Sequence, residues 1–382
     1  MTSPAEKRVS VSSFELVRYF LWLGTAVFGG PVVLCEHMRR ELVEKRGWIT
    51  PEEYTDGFSL SQLAPGPLAT QLAIYLGWVR GGVFGATLAG FAFVIPSFLM
   101  VLTLAAFYVA YGGIFWIQGA FYGIGAAVIA IMVLSSYKLA KKTFRAEFLL
   151  WGIGLVSAAI TAVTESEWFL LFLAGGILVA LTRRFSLRTF GFAFPAFLTT
   201  GLNGPGSNRI LLKIFLFFAK AGAMVFGSGL AIIPFLHGGV VLGNHWLSER
   251  QFLDSVAVAM ITPGPVVITV AFIGYLVSGT MGAAAAAAGV FLPCYLFVII
   301  PAPFYSRFSK NVLMRGFVDG VTSAAVGAIA GATIVLARRA LVDWFSVICF
   351  AVALAALWKL KKVPEPVLIL IAGVVGILVK LR

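Results

Sequence analysis

Long apolar segments most strongly constrain the fold of this 382-residue chain. Most of them approach the ~20 residues that a helix needs to cross the hydrocarbon core of a bilayer. The composition agrees, because 12% of the residues are charged and the mean hydropathy is +0.97. The sequence therefore predicts an all-α, multi-pass membrane protein rather than a water-soluble enzyme. The segments lie near 19–34, 58–79, 82–110, 114–137, 147–164, 168–182, 214–236, 255–277, 281–303, 317–337, 343–358 and 366–379.

The charges and the reactive residues exclude several classes of protein. The net charge of +13 is typical of basic residues that flank membrane spans, and it does not indicate a nucleic-acid surface. The three cysteines and three histidines are widely spaced, so neither a disulfide framework nor a metal site is predicted. No phosphate-binding Gly-Lys-Ser/Thr motif is present, so we expect no ATP hydrolysis and no cofactor.

The chain contains an internal repeat with an offset of about 198 residues. Pro65-Gly66-Pro67 recurs as Pro263-Gly264-Pro265, and Trp48 recurs as Trp246. Two-fold repeats of this kind are common in secondary transporters, which bind their substrate at the interface between the repeats. We expect the first repeat at 1–190, a linker at 191–212 and the second repeat at 213–382.

The two Pro-Gly-Pro motifs are predicted to interrupt helices inside apolar segments. Proline lacks the N–H donor and glycine tolerates unusual φ angles, so a regular helix cannot continue through these motifs. The helix that restarts after each break presents unpaired N–H groups, which favour an anion. The Gly-rich motifs beginning at Gly29 and Gly227 are predicted to interrupt helices in the same way. Lys220 adds a cation inside a span. The predicted substrate-binding residues are Gly29, Gly30, Pro31, Pro65, Gly66, Pro67, Thr70, Gln71, Lys220, Gly227, Ser228, Gly229, Thr262, Pro263, Gly264, Pro265 and Thr269.

Two topologies fit these segments. In the favoured one, each repeat has about five crossings and one re-entrant Pro-Gly-Pro hairpin, and the second repeat is inverted relative to the first. The alternative is twelve plain spans with the N-terminus inside. The inverted arrangement leaves fewer Lys and Arg residues outside the cell, which agrees with the positive-inside rule, and it places the N-terminus and Arg18 outside.

Four ionisable residues are candidates for coupling transport to protons. Asp56 and Asp254 recur at the mouths of the two Pro-Gly-Pro segments, and Arg315 and Asp319 lie four residues apart on one predicted helix face. Their simpler interpretations are helix capping for the two repeated aspartates and a neutral ion pair for the other two residues.

The motifs in this order resemble the chromate ion transporter (CHR) family over almost the whole chain. The resemblance rests on Phe28-Gly29-Gly30-Pro31 and Gln62 through Pro67 in the first half, and on Phe226-Gly227-Ser228-Gly229 and Met260 through Pro265 in the second. It implies a two-domain protein of the bacterial cytoplasmic (inner) membrane that exports chromate, with sulfate as a similar oxyanion. In one departure, Leu34 stands where many members have histidine.

The leading hypothesis is therefore a secondary transporter that exports chromate, driven by the proton motive force. Uptake or exchange of sulfate or another anion is the alternative within the same class. A membrane-embedded enzyme would need a nucleophile with a partner or a metal cluster at membrane depth, and the sequence offers none. A passive anion channel stays open, as does homodimer formation; the expected surroundings are a lipid bilayer and no nucleic acid.

Overall fold

The fold of the chain is helical throughout the part that the structure describes. A computed structural model describes residues 12–28, 31–111, 115–144, 147–165, 169–183, 207–224, 229, 232–305, 312–359 and 365–380. The helices of the first half are α1 (Ser13–Ala26), α2 (Pro31–Met38), α3 (Pro51–Leu63), α4 (Leu68–Tyr111), α5 (Phe115–Phe144), α6 (Phe148–Thr164) and α7 (Phe169–Thr182). Those of the second half are α8 (Ser207–Met224), α9 (Ile232–Leu236), α10 (Glu249–Ile261), α11 (Thr269–Ile299), α12 (Val312–Ala340), α13 (Trp344–Lys359) and α14 (Glu365–Lys380).

The order of helices is the same in the two halves, which agrees with the sequence repeat. Short π-helical turns extend α2 and α9, and a 3₁₀ turn at Val266–Ile268 precedes α11. The predicted linker 191–212 is described only from residue 207, where it already forms α8. Among the described residues, four helical stretches are long and apolar enough to cross a membrane: Leu68–Tyr111, Trp116–Phe144, Val266–Phe304 and Arg315–Ala340.

The first Pro-Gly-Pro motif forms the turn of a helical hairpin. Thr50 caps α3 by accepting a hydrogen bond from the N–H of Glu53, and the helix stops at Ala64, immediately before the first proline. The returning arm of α4 begins at Leu68 and lies against α3, since Tyr75 packs on Gly57. At the open end of the hairpin, Arg80 donates to Glu53 at 2.8 Å. Each arm has about 13 residues and rises about 20 Å, which is shorter than a bilayer core.

A sharp bend separates this short arm of α4 from its long arm. Gly81 and Gly82 leave helical geometry, and Gly82 has φ +57°, which favours glycine. The chain then folds back, so that the backbones of Gly77 and Gly85 meet with no room for a side chain. The long arm runs from the bend to Tyr111.

The second half repeats the hairpin and the bend. Ser248 caps α10 through Gln251, Pro263-Gly264-Pro265 forms the turn, and α11 bends at Ser278 and Gly279. The backbones of Gly274 and Gly282, which flank this bend, meet as those of Gly77 and Gly85 do in the first half.

The segment 19–34 differs from the single crossing that the sequence predicted. The helix α1 ends at Ala26 and α2 starts at Pro31, and the two helices lie side by side, with the rings of Trp22 and His37 5.1 Å apart. The second half does the same, with Phe217 of α8 and Phe235 of α9 stacked at 5.4 Å. Each half therefore begins with two helical hairpins rather than one. The physical reason is the Gly-rich motif between α1 and α2, which stops the helix in the middle of the apolar segment.

The two halves interlock and run in opposite directions. The long arm of α4 is antiparallel to the long arm of α11: its start, at Thr87, meets Tyr295 near the end of α11, while its later residues Val101 and Ala105 share a buried cluster with Ala283, just after the bend of α11. The last helices are exchanged between the halves: α12 packs on α6 and α7, and α5 packs on α13 and α14. Gly327 lies against the backbone of Gly154 in the first of these contacts.

Candidate functional site

A cavity of about 770 Å³ lies between the two halves, and both Pro-Gly-Pro turns reach it. The first hairpin contributes Pro67, Leu68 and Ala69, and the second contributes Gly264, Pro265 and Val266. The N-termini of the returning arms therefore border the same space. Their first N–H groups have no partner within the helix, and the helix dipoles add partial positive charge there.

Each hairpin turn is held by a side chain from the opposite half. Gly66 has φ +146° and lies against Cys294 of α11, whereas Gly264 has φ +96° and lies against Ser97 of α4. Ser97 also donates to the carbonyl oxygen of Gly24 at 3.4 Å. A Cβ atom at Gly264 would overlap the Ser97 hydroxyl, so glycine is required both by φ and by space. The two turns are thus positioned reciprocally near the centre of the molecule.

Side chains behind the turns hold the broken backbone. The amide nitrogen of Gln71 donates to the carbonyl oxygen of Pro65 at 2.7 Å, which satisfies a group that the break had freed. Thr269 donates to the carbonyl oxygen of Val266 at 2.7 Å, and Thr262 donates to that of Ala259 at 3.1 Å. These residues, with the buried Thr70, shape the turns, and only Thr262 among them lines the cavity.

Four cationic side chains from the described part of the chain line the cavity. Lys138 and Lys142 come from the end of α5, Arg183 follows α7, and Arg315 lies in α12. Acidic groups are present as well, since Asp319 and Glu365 also line it. The four cations outnumber the two carboxylates, so the wall of the cavity favours an anion.

Arg183 connects three helices at the rim of this cavity. Its guanidinium donates to Asp319 at 2.6 Å and to Glu147 at 2.9 Å. Partial burial lowers the pKa of Arg183 while its hydrogen bonds to Glu147 and Asp319 raise it, and the net shift is upward. Arg183 is therefore charged at any physiological pH.

Sequence reasoning identified only one of these four cations, Arg315. Lys138 and Lys142 are four residues apart and share one helix face, a signal that was visible but indistinguishable from an ordinary basic flank of a span. Arg183 gave no local signal, because its role depends on α7 meeting α12. Asp319 was expected to pair with Arg315 on its own helix, and the ion pair that the structure gives Asp319 is with the guanidinium of Arg183.

The predicted site residues fall into four groups. Those that line the cavity are Pro31, Pro67, Gly229, Thr262, Gly264, Pro265, Arg315 and Asp319. Those that lie behind its wall are Pro65, Gly66, Thr70, Gln71, Pro263 and Thr269. Those that lie elsewhere are Lys220, half-buried in α8; Asp56, exposed on α3; and Asp254, buried in α10. Those outside the described residues are Gly29, Gly30, Gly227 and Ser228.

No metal site is formed within the part of the chain that the structure describes, because no three His, Cys, Asp or Glu side chains come together there. The apolar helices, the repeated helix breaks and the shared cavity define a multi-pass membrane protein built from two repeats. A sequence profile of the family described as "Chromate transporter" matches residues 14–180 and 212–377. The chain belongs to this chromate transporter family.

Named relatives agree over nearly the full length. The chain is 54% identical to a "Chromate transport protein" of Cupriavidus metallidurans, over 95% of this chain and 92% of the relative. It is 50% identical to a "Probable chromate transport protein" of Synechococcus elongatus, over 95% of each chain. It is 33% identical to a "Chromate transport protein" of Pseudomonas aeruginosa, over 96% of this chain and 92% of the relative. No solved structure matches the chain.

Proposed function

We propose that the protein is a secondary transporter that exports chromate from the cytoplasm through the central cavity. One observation carries the proposal: two repeat-related helix N-termini and four cationic side chains border one cavity between the halves. Helix N-termini and guanidinium or ammonium groups are the partners that a tetrahedral dianion needs. The names of the three relatives support chromate as that dianion.

The proposed topology revises the one expected from the sequence. The two hairpins at the start of each repeat enter the membrane and leave on the same side, and the long arms of α4 and α11 cross it in opposite directions. Support comes from the short arms and from the antiparallel α4 and α11. The open ends of the α3–α4 and α10–α11 hairpins then face opposite sides of the membrane.

The cavity is proposed to open to the cytoplasm. Three of the cationic side chains, Lys138, Lys142 and Arg183, lie at the end of the molecule where the cavity opens. By the positive-inside rule, that end is the cytoplasmic one. The α1 helix has Tyr19 against Trp48, near the open end of the α3–α4 hairpin. Arg18 is therefore proposed to lie on the cytoplasmic side, not on the outer side that the sequence favoured. A cytoplasmic cavity is the state that loads a substrate for export.

The direction and the driving force are part of the proposal. Moving one charge through the membrane potential is worth about 2.3 kcal/mol per 100 mV, so a dianion leaving a cell with a negative interior gains about 4.6 kcal/mol per 100 mV. The electrical part of the proton motive force alone therefore favours export of chromate.

Flux into proteoliposomes tests the proposal. Purified protein should move chromate down an imposed electrical gradient, and the variant with Lys138→Gln and Lys142→Gln should raise the KM for chromate on the order of tenfold or more, because charges near a dianion are removed. Lys141→Gln is the matched control, since Lys141 is exposed and does not line the cavity. Absence of flux of chromate and sulfate under every gradient would overturn the proposal, and stronger competition by sulfate than by chromate would reassign the ion.

A further inference from the structure

The far end of the molecule, opposite the cavity opening, holds a hydrogen bond between the two halves. Tyr108, near the end of α4, donates to Asp254 of α10 at 2.7 Å. Asp254 is only 4% exposed, and the ring of Tyr108 packs edge-on against Phe121 and Phe272 with centroids 5.4 and 5.3 Å away. The contact ties the second Pro-Gly-Pro hairpin to the long arm of α4.

The same pair of residues recurs at the cavity end, where it is arranged differently. Tyr305 is the repeat counterpart of Tyr108, and Asp56 is the counterpart of Asp254. Tyr305 lines the cavity beside the hydroxyl of Ser59, while the side chain of Asp56 is exposed. One tyrosine–aspartate pair is therefore hydrogen-bonded and buried. Its counterpart is parted in the sense that no hydrogen bond joins Tyr305 and Asp56 among the described contacts, although Asp56 lies close enough for its charge to act on Tyr305.

A second repeated position shows the same difference. Arg339, at the end of α12, forms ion pairs with Glu249 of α10 and with Glu165 after α6, and His237 lies 2.8 Å from Glu249. These contacts hold the open end of the α10–α11 hairpin against two other helices. The repeat counterpart of Arg339 is Lys142, which lines the cavity. The closed end and the open end thus differ at two independent pairs of counterparts.

We propose that Tyr108–Asp254 and Tyr305–Asp56 are the two gates of an alternating-access cycle, and that the described state has the first gate closed and the second open. The proposal rests on the proposed transport through the central cavity. Inverted repeats exchange their arrangements when the access side changes, so the pair that is parted here forms in the opposite state. Removal of one hydrogen bond shifts the population toward the state that does not contain it.

Side-specific labelling of a cavity cysteine tests the gates. Thr322 lines the cavity and serves as the reporter, as Thr322→Cys, in a chain whose three native cysteines are replaced. A membrane-impermeant maleimide is applied to inside-out and to right-side-out vesicles. Without further changes, labelling should be fast from the cavity side and slow from the far side.

The two tyrosine variants should shift labelling in opposite directions. Tyr108→Phe should raise the labelling rate from the far side on the order of tenfold, since a hydrogen bond to a charged group is lost only from the described state. Tyr305→Phe should lower it further, because the bond to the charged Asp56 that the opposite state loses is stronger than the bond to Ser59 that the described state loses. Asp254→Asn is a second test of the first gate and should act like Tyr108→Phe. Tyr137→Phe is the control, because the exposed Tyr137 packs on Trp358 and touches neither gate.

The outcomes separate the gates from the transported ion. Equal or same-direction shifts for Tyr108→Phe and Tyr305→Phe would overturn the gate proposal, and so would a reporter that is labelled from neither side. Opposite shifts support it even if no chromate flux is found, because labelling needs no substrate; in that case only the assignment of the ion fails.

Discussion

The two Pro-Gly-Pro hairpins have the same turn but different open ends. At the turn, both place a glycine with positive φ against a side chain of the opposite half and both reach the cavity. At the open end, the first hairpin is closed by its own ion pair, Arg80 with Glu53, whereas the second is held by contacts from outside it, through Arg339 and Tyr108. The two hairpins therefore share the turn, which faces the cavity. They differ at the open end, where different residues anchor each hairpin.

The largest effect is expected at the shared turn. Gly66→Ala and Gly264→Ala force a side chain into a positive φ and into contact with Gln71 or Ser97, which displaces the helix N-terminus from the cavity. We expect each to lower the initial rate of chromate flux on the order of tenfold or more at equal protein levels. Gly125→Ala is the control, because nothing lies within 4 Å of its Cβ position. Wild-type flux in both variants would disconnect the turns from transport.

A second substitution distinguishes the two turns. Ser97→Ala removes the hydroxyl that a Cβ at residue 264 would overlap, so it should restore part of the flux of Gly264→Ala. It should not rescue Gly66→Ala, whose neighbours are Gln71 and Cys294. Flux assays of the two double variants check this, and rescue of both or of neither would contradict the reciprocal packing.

Loss of the ion pair at the first open end should cost stability. Arg80 is 10% exposed and Glu53 is 21% exposed, so Arg80→Gln leaves a carboxylate partly buried without its partner. We expect the free energy of unfolding to fall by about 2–3 kcal/mol, measured as a lower Tm in detergent. Lys45→Gln is the comparison, because Lys45 is 53% exposed and Glu41 keeps Arg46 as a second partner, so the pair should contribute under about 1 kcal/mol. Equal Tm changes would mean that the hairpin does not depend on Arg80.

Exchanging the capping residues of the two hairpins should give a smaller effect. Glu53→Gln retains a capping residue of the kind found at Gln251 but loses the charge that pairs with Arg80, so a loss of about 1–2 kcal/mol is expected. Gln251→Glu keeps the cap of α10 and should leave the Tm nearly unchanged. If Gln251→Glu destabilised the protein as much as Glu53→Gln, the two open ends would not differ as described.

The sequence predicted local breaks well and long-range partners poorly. The stops before Pro65 and Pro263 follow from missing N–H donors, and the helices restart where the motif ends. A helix start at Pro31 was predicted, but the return of α2 beside α1 was not, since an apolar run reads the same whether a helix crosses or turns back. The cavity residues Lys138 and Arg183 depend on which helix ends meet, and apolar spans carry no periodic pattern that reveals their neighbours.

The smallest effect is expected at Lys220, the lysine that the sequence singled out. It is half-buried in α8 and does not line the cavity, whereas Lys142, a basic residue at the end of a span, does. The attraction between a cation and a dianion weakens with distance and with screening by solvent and salt. Lys220→Gln should therefore change the KM for chromate less than twofold, whereas Lys142→Gln should raise it several-fold. Flux measured over a range of chromate concentrations compares them. If Lys220→Gln raised the KM more than Lys142→Gln did, the binding site would lie near the end of α8, where Lys220 precedes the Gly-rich motif, and not in the cavity.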